Sequence, residues 1–165
     1  MAKKISSKLG ALGLGLALST SALSAAESQK LTKFEDMKSF KGDAKIFSGE
    51  VKVTLMFGTN ENRNVSGGLV EFSPKARSAW HTHPAGQTLI IVEGEIYTGT
   101  ENGITQIAKK GDVIECPVGV KHWHGAGATQ KGVHIALTGV KDGQNVTWLE
   151  KLSDEEYEKA IKNAK

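Results

Sequence analysis

Histidine is missing from the first 80 residues, nearly half the chain, and all five histidines then fall between His81 and His134. Cysteine is scarcer still. Cys116 stands alone, which excludes an internal disulfide in any compartment. It lies in the apolar run DVIECPV and reads as a small buried hydrophobe rather than a nucleophile. A long hydrophobic run is also lacking: ALGLGLALSTSAL, near the start, is too short and too glycine-rich for a comfortable membrane span. Internal repeats and low-complexity segments are absent beyond that stretch. The excess of positive charge is only apparent. Of 21 basic residues against 18 acidic ones, Lys3, Lys4 and Lys8 lie in the first 26 residues with no acid among them. The remainder balances at 18 of each sign, so the charge gives no reason to expect a nucleic-acid partner.

What is present begins with that N-terminal segment. Lysines, then an apolar run, then the small residues of SALSAA follow the order of a secretory signal peptide. Residues 1–26 are therefore expected to be removed after Ala26, with Ser24 and Ala26 as the small residues at the cut. That would leave a periplasmic or secreted protein with no membrane span. The alternative, an uncleaved anchor, is opposed by the length of the apolar run.

The 165 residues suit one domain with one core. Residues 27–46 read as an N-terminal arm, polar with spaced Leu31, Phe34, Met37 and Phe40, forming a short helix or an ordered lead-in. Residues 47–165 read as the domain. EVKVTLMF alternates, GTNENRN turns, and VSGGLVEF, SAWHTH, QTLIIVEGEIYTGT, ITQIAKKGDVIEC, KHWHGAG, GVHIALTGV and NVTWLE follow as short strands. With 19 glycines and polar turn clusters between them, the pattern predicts an all-β sandwich or barrel. SDEEYEKAIKNA departs from it: Ser153 and Glu156 form a capping box, and Tyr157, Ala160 and Ile161 make an apolar stripe. A C-terminal helix lying against the barrel is expected.

In a strand, residues two apart share a face, so His81 and His83 converge while Trp80 and Thr82 face away. PAG turns the chain and lets Gln87 re-enter from the next strand; His122 and His124 repeat the same-face spacing. Paired imidazoles on an inward face cost desolvation unless their lone pairs are used, and a metal ion uses them directly. Each histidine taken alone reads as a hydrogen-bonded core residue, but two H-x-H pairs in an all-β chain favour a metal site.

These residues resemble the cupin superfamily, whose motifs read G-x5-H-x-H-x3-4-E-x6-G and G-x5-P-x-G-x2-H-x3-N. His81, His83, Gln87 and Gly94 fall at the spacing of the first, and Gly111, Pro117, Gly119 and His122 at that of the second. The resemblance implies a jelly-roll barrel with His81, His83, Gln87 and His122 as metal ligands. Lys75 replaces the first motif's opening Gly and Ala126 the second's closing Asn, both at turn or packing positions. Gln87 replaces the usual Glu, so a neutral amide oxygen stands where a carboxylate would bring charge. A divalent ion held this way keeps its full charge as a Lewis acid. This His-His-Gln-His variant is similar to small bacterial cupins that include the manganese-dependent hydroxynitrile lyases. The resemblance implies manganese first, with iron, nickel or zinc as alternatives, a small-molecule substrate, and a homo-oligomer paired through its sheets.

Alternation in GVHIALTGV puts His134, Ala136 and Thr138 on one face, suited to a cavity wall, and Val133, Ile135 and Leu137 on the other, suited to packing. His134 is thus a candidate general acid or base beside the metal, or else a supporting core histidine. His124 is open between spare ligand, supporting donor and rim residue. Trp80 and Trp123 are expected to pack behind their strands, and Gly68, Val70 and Phe72 to shape the pocket. Three functions follow: a metal-dependent lyase on a cyanohydrin or related adduct, a metal-dependent dioxygenase, or a non-catalytic metal- or ligand-binding module of the cell envelope.

Overall fold

A computed structural model describes residues 28–165, so the expected signal peptide, residues 1–26, lies outside the described residues. Twelve strands follow in chain order: β1 (Ser39–Lys41), β2 (Phe47–Ser48), β3 (Val51–Phe57), β4 (Val65–Phe72), β5 (Arg77–Ser78), β6 (His81–Thr82), β7 (Gln87–Thr100), β8 (Thr105–Lys109), β9 (Val113–Cys116), β10 (His122–Ala126), β11 (Gly132–Gly139) and β12 (Thr147–Trp148). One helix, α1 (Asp154–Lys162), closes the described chain. The strands pair antiparallel along the path β1-β3-β4-β11-β7-β10-β5-β2, with β8 and β9 also on β7 and β12 on β6. The sheet curls on itself as an all-β barrel, one of the two forms the alternation and turn spacing predicted, and as the jelly roll the resemblance implied.

The long strand β7 joins the two halves. Residues Gln87–Ile90 pair with β9, and Glu95–Gly99 with β8. On its other edge the strand passes from β11 to β10. Gly94 sits at the change with φ 64°, and a Cβ there would lie 2.0 Å from the Lys131 carbonyl oxygen. Only glycine accepts both the left-handed backbone and that approach. A register shift between Val133 and His134 on β11 accompanies the bend.

Inward residues of both halves make the core. Val51, Phe72, Leu89, Ile91, Ile96 and Ala126 are essentially sealed from solvent. Burying each of the larger ones is worth roughly 1.5–3 kcal/mol. A second cluster of Trp123, Leu152 and Tyr157 forms behind β10, with Trp80, Ala160 and Ile161 packed on it. Both tryptophans therefore pack behind the strands that carry them. Helix α1 is held there by its apolar stripe, and its start is fixed by reciprocal bonds between Ser153 and Glu156. The buried Arg77 guanidinium donates to the Leu152 carbonyl and pairs with Asp154, while Tyr157 Oη donates to the Ala126 carbonyl.

The arm is more integrated than a lead-in. It contains a single 3-10 turn, Phe34–Asp36, and then β1, which adds a strand to β3. Among the motif departures, Lys75 adopts φ 67° in a turn and Ala126 is a fully enclosed packing position. No helix among the described residues is long and apolar enough to cross a membrane.

Candidate metal centre

Strand pairing assembles the histidines. His81 of β6 lies directly opposite His122 of β10, and His83 follows two residues later on the same face. Their ring centroids are 4.3 Å apart for His81–His122, 5.0 Å for His81–His83 and 5.4 Å for His83–His122. One ring nitrogen from each lies within 4.8 Å of the other two.

The backbone decides which nitrogen. His81 Nδ1 meets the Ala79 carbonyl at 2.9 Å, His122 Nδ1 the Val120 carbonyl at 2.9 Å, and His83 Nδ1 the Asn145 carbonyl at 2.6 Å. A carbonyl oxygen can only accept, so each Nδ1 carries the proton and each Nε2 presents a lone pair. Gln87, at the head of β7, donates from Nε2 to Thr138 Oγ1 at 3.0 Å.

Five buried side-chain nitrogen or oxygen atoms lack a hydrogen-bond partner among the described residues, and all belong to this cluster: His83 Nε2, Gln87 Oε1, His122 Nε2, His124 Nε2 and His134 Nδ1. Leaving such atoms unpaired costs about 1–3 kcal/mol each, so their concentration at one point needs an occupant. Lone pairs from imidazole and an amide oxygen fit a divalent cation of the borderline kind. The buried triad thus supports a divalent-metal site, with Gln87 Oε1 free beside it.

Burial is the main force on these rings. It holds His81 and His124 well below the ordinary imidazole range and lowers His83 and His122, with the neighbouring rings reinforcing it at His81, His124 and His122. The carbonyl bonds oppose it at His81, His83 and His122. His134, fully enclosed, is pushed down to about 3. An exposed imidazole would titrate near neutrality, but desolvation keeps this one neutral well into acid.

His81, His83, His124 and His134 line a cavity of about 450 Å³ walled by Ile46, Val53, Leu55, Phe57, Val70 and Trp148, with no carboxylate in its lining. His134, Ala136 and Thr138 face it, in agreement with the alternation of β11, while Ile135 and Leu137 are half-buried on the other face. Gly68 and Val70 line it as expected. Phe72 instead sits against the rings of His124 and His134, at 5.8 and 5.6 Å between centroids. His124 is buried rather than at the rim, and its Nδ1 lies 3.2 Å from His134 Nε2. Cys116 lies opposite Gln87 in the β7–β9 register, with its thiol pushed up by burial to about 11, as an inert packing residue would be. Contributions that motif spacing did not reveal are the Asn145 carbonyl, the Trp148 ring 4.8 Å from His81, and the partnership of Thr138 with Gln87.

Barrel and buried histidine cluster together define a cupin, and the chain belongs to that family. Residues 68–137 match the Cupin domain family. The chain is 42% identical over 117 residues to the (R)-mandelonitrile lyase of Granulicella tundricola, a match spanning 71% of this chain and 89% of the lyase. It is thus a small cupin resembling the bacterial hydroxynitrile lyases. Among solved structures, a cupin-like protein from Thermotoga maritima is 38% identical with a TM-score of 0.70, covering 74% of this chain and 93% of that one. A polyketide cyclase from Streptomyces resistomycificus shares the fold at 19% identity and a TM-score of 0.62, covering 79% of this chain and 92% of its own.

Proposed function

We propose that this protein is an exported, metal-dependent lyase that cleaves cyanohydrins to a carbonyl compound and hydrogen cyanide, or joins them. The observation that carries the reading is the convergence of three tautomer-fixed imidazoles, with one unpartnered amide oxygen, beside an apolar cavity that His81, His83 and Gln87 line. The 42% identity to an (R)-mandelonitrile lyase supports the reaction class. His81, His83, Gln87 and His122 would hold the cation, with manganese first in preference and iron, nickel or zinc as alternatives. Bound there by neutral ligands, it supplies Lewis acidity toward a hydroxyl oxygen.

The chain's own groups supply the rest. The apolar walls exclude water and seat the organic part of the substrate. His134 takes the hydroxyl proton at Nδ1, its unpartnered nitrogen, as the carbon–carbon bond breaks and its electron pair departs on cyanide. The same nitrogen then returns the proton to cyanide, so the products are a carbonyl compound and HCN. Burial makes neutral His134 a weak base but its protonated form a strong acid toward departing cyanide. Export rests on residues 1–26, and a homo-oligomer on likeness to other small cupins.

Elemental analysis of protein purified from its native compartment, combined with cyanide release from mandelonitrile and an oxygen-uptake assay, tests the reading. Stoichiometric metal with oxygen-independent cyanide release is expected. Oxygen consumption coupled to carbon–carbon cleavage would transfer the site to dioxygenase chemistry, and metal retention without turnover would make it a binding module.

A further inference from the structure

We propose that Thr138 is a positioning residue that holds Gln87 in its cation-ligating pose, a role that rests on the metal reading above. A primary amide has two ends of nearly equal shape: an oxygen that can ligate a cation and an NH2 group that cannot. Gln87 can serve the site only with its oxygen turned toward the histidines, and that pose buries the NH2 group on the opposite side. The NH2 group then needs an acceptor.

Strand register provides it. Thr138 of β11 stands directly opposite Gln87 of β7, so the two side chains share the cavity face. Gln87 Nε2 donates to Thr138 Oγ1 at 3.0 Å, while Gln87 Oε1 is buried beside the triad with no partner. Thr138 is itself buried, at 8% exposure, which leaves little room for water to replace it. Without the hydroxyl, the ligating pose strands a buried NH2 group. The relaxed alternative is a flipped amide that donates to a histidine lone pair and competes directly with the cation. The cost of losing this acceptor therefore falls on metal binding. A carboxylate, with two equivalent oxygens, would present a ligating atom in either orientation, so this dependence comes with the glutamine.

Zinc alone, titrated into metal-free protein against a chromophoric chelator, reads the effect without any assay of activity; its position above manganese in the affinity order keeps weakened variants measurable. Thr138→Val should weaken zinc binding about 10- to 100-fold, the usual effect of removing a partner that orients a ligand. Thr138→Ser, which keeps the hydroxyl, should bind within about threefold of the unaltered protein on the same reasoning. On a Gln87→Ala background, Thr138→Val should change nothing further, because the residue acts through the amide. Thermal melting of each variant confirms the fold. Zinc uptake by Thr138→Val equal to that of the unaltered protein, or an undiminished loss on the Gln87→Ala background, would overturn the role while leaving the metal site standing. Failure of the unaltered protein to take up zinc would overturn the metal reading and this role with it.

Discussion

His134 Nε2 and His124 Nδ1 face each other at 3.2 Å, so the two rings must share a single proton between them. Whichever ring donates, the far nitrogens take opposite roles, one a donor and one an acceptor. With His134 donating, its Nδ1 is left as the acceptor that proton abstraction requires. Replacement of His134 by Gln keeps a group able to donate to His124 but removes the titratable nitrogen. Cyanide release should fall about 10²–10⁴-fold in His134→Gln and in His134→Ala, with metal content unchanged. Full turnover in the glutamine variant would remove His134 from the chemistry, and loss of metal would make it a support for the ligands. Because burial places His134 near 3, the rate limb it governs should lie in acid rather than near neutrality.

Replacing His81 or His122 with Ala should remove most of the bound metal, since each would leave a ligand vacancy in a desolvated site. The measurement is metal per chain after purification and dialysis. Stoichiometric metal in the double variant would show that these rings are packed for other reasons.

Gln87→Glu should hold metal as well as or better than the native residue and yet turn over more slowly. The added negative charge strengthens binding and weakens Lewis acidity at the same time. Opposite movements of affinity and turnover are the signature; equal or higher activity would show that the neutral amide is not there for its charge.

Acid should unfold the metal-free protein early. The buried imidazoles have folded pKa values below the ordinary 6.5: His134 reaches about 3, and burial also holds His81 and His124 well below 6.5. Between those values the unfolded chain binds protons that the folded chain refuses. Stability is therefore full above about pH 6.5 and falls as pH drops, His134 alone contributing a slope of about 1.4 kcal/mol per pH unit down toward 3, with His81 and His124 acting in the same direction. Urea midpoints measured from pH 7 to pH 4 check the slope, and bound metal should flatten it. A midpoint independent of pH in the metal-free protein would contradict the burial of neutral rings.

His81 with His83, and His122 with His124, could be read as pairs because strand parity is local: residues two apart share a face whatever the rest of the protein does, and the cupin motif spacing singled out His122 of the second pair. The barrel was legible for the same reason, and so were the helix with its Ser153–Glu156 box and the inward turn of His134, Ala136 and Thr138. Partners across strands were not. Thr138 meets Gln87, and His124 meets His134, only through a register set by the bend at Gly94 and the shift between Val133 and His134. The Asn145 carbonyl that holds His83 is a backbone group in a loop, and no side-chain pattern marks it. The ionisation of His134 followed the same divide. Residue type suggested titration near neutrality, and only enclosure by Phe72 and the surrounding core moves it into acid.

The four proposed donors do not come from one side of the barrel. His81, His83 and His122 belong to the half built around β10, whereas Gln87 heads the stretch of β7 that pairs with β11 and β9. A cation held by all four, as proposed, would clasp the two halves together through the site. On that proposal, hydrogen exchange of the β7 amides should slow when metal is added to the metal-free protein.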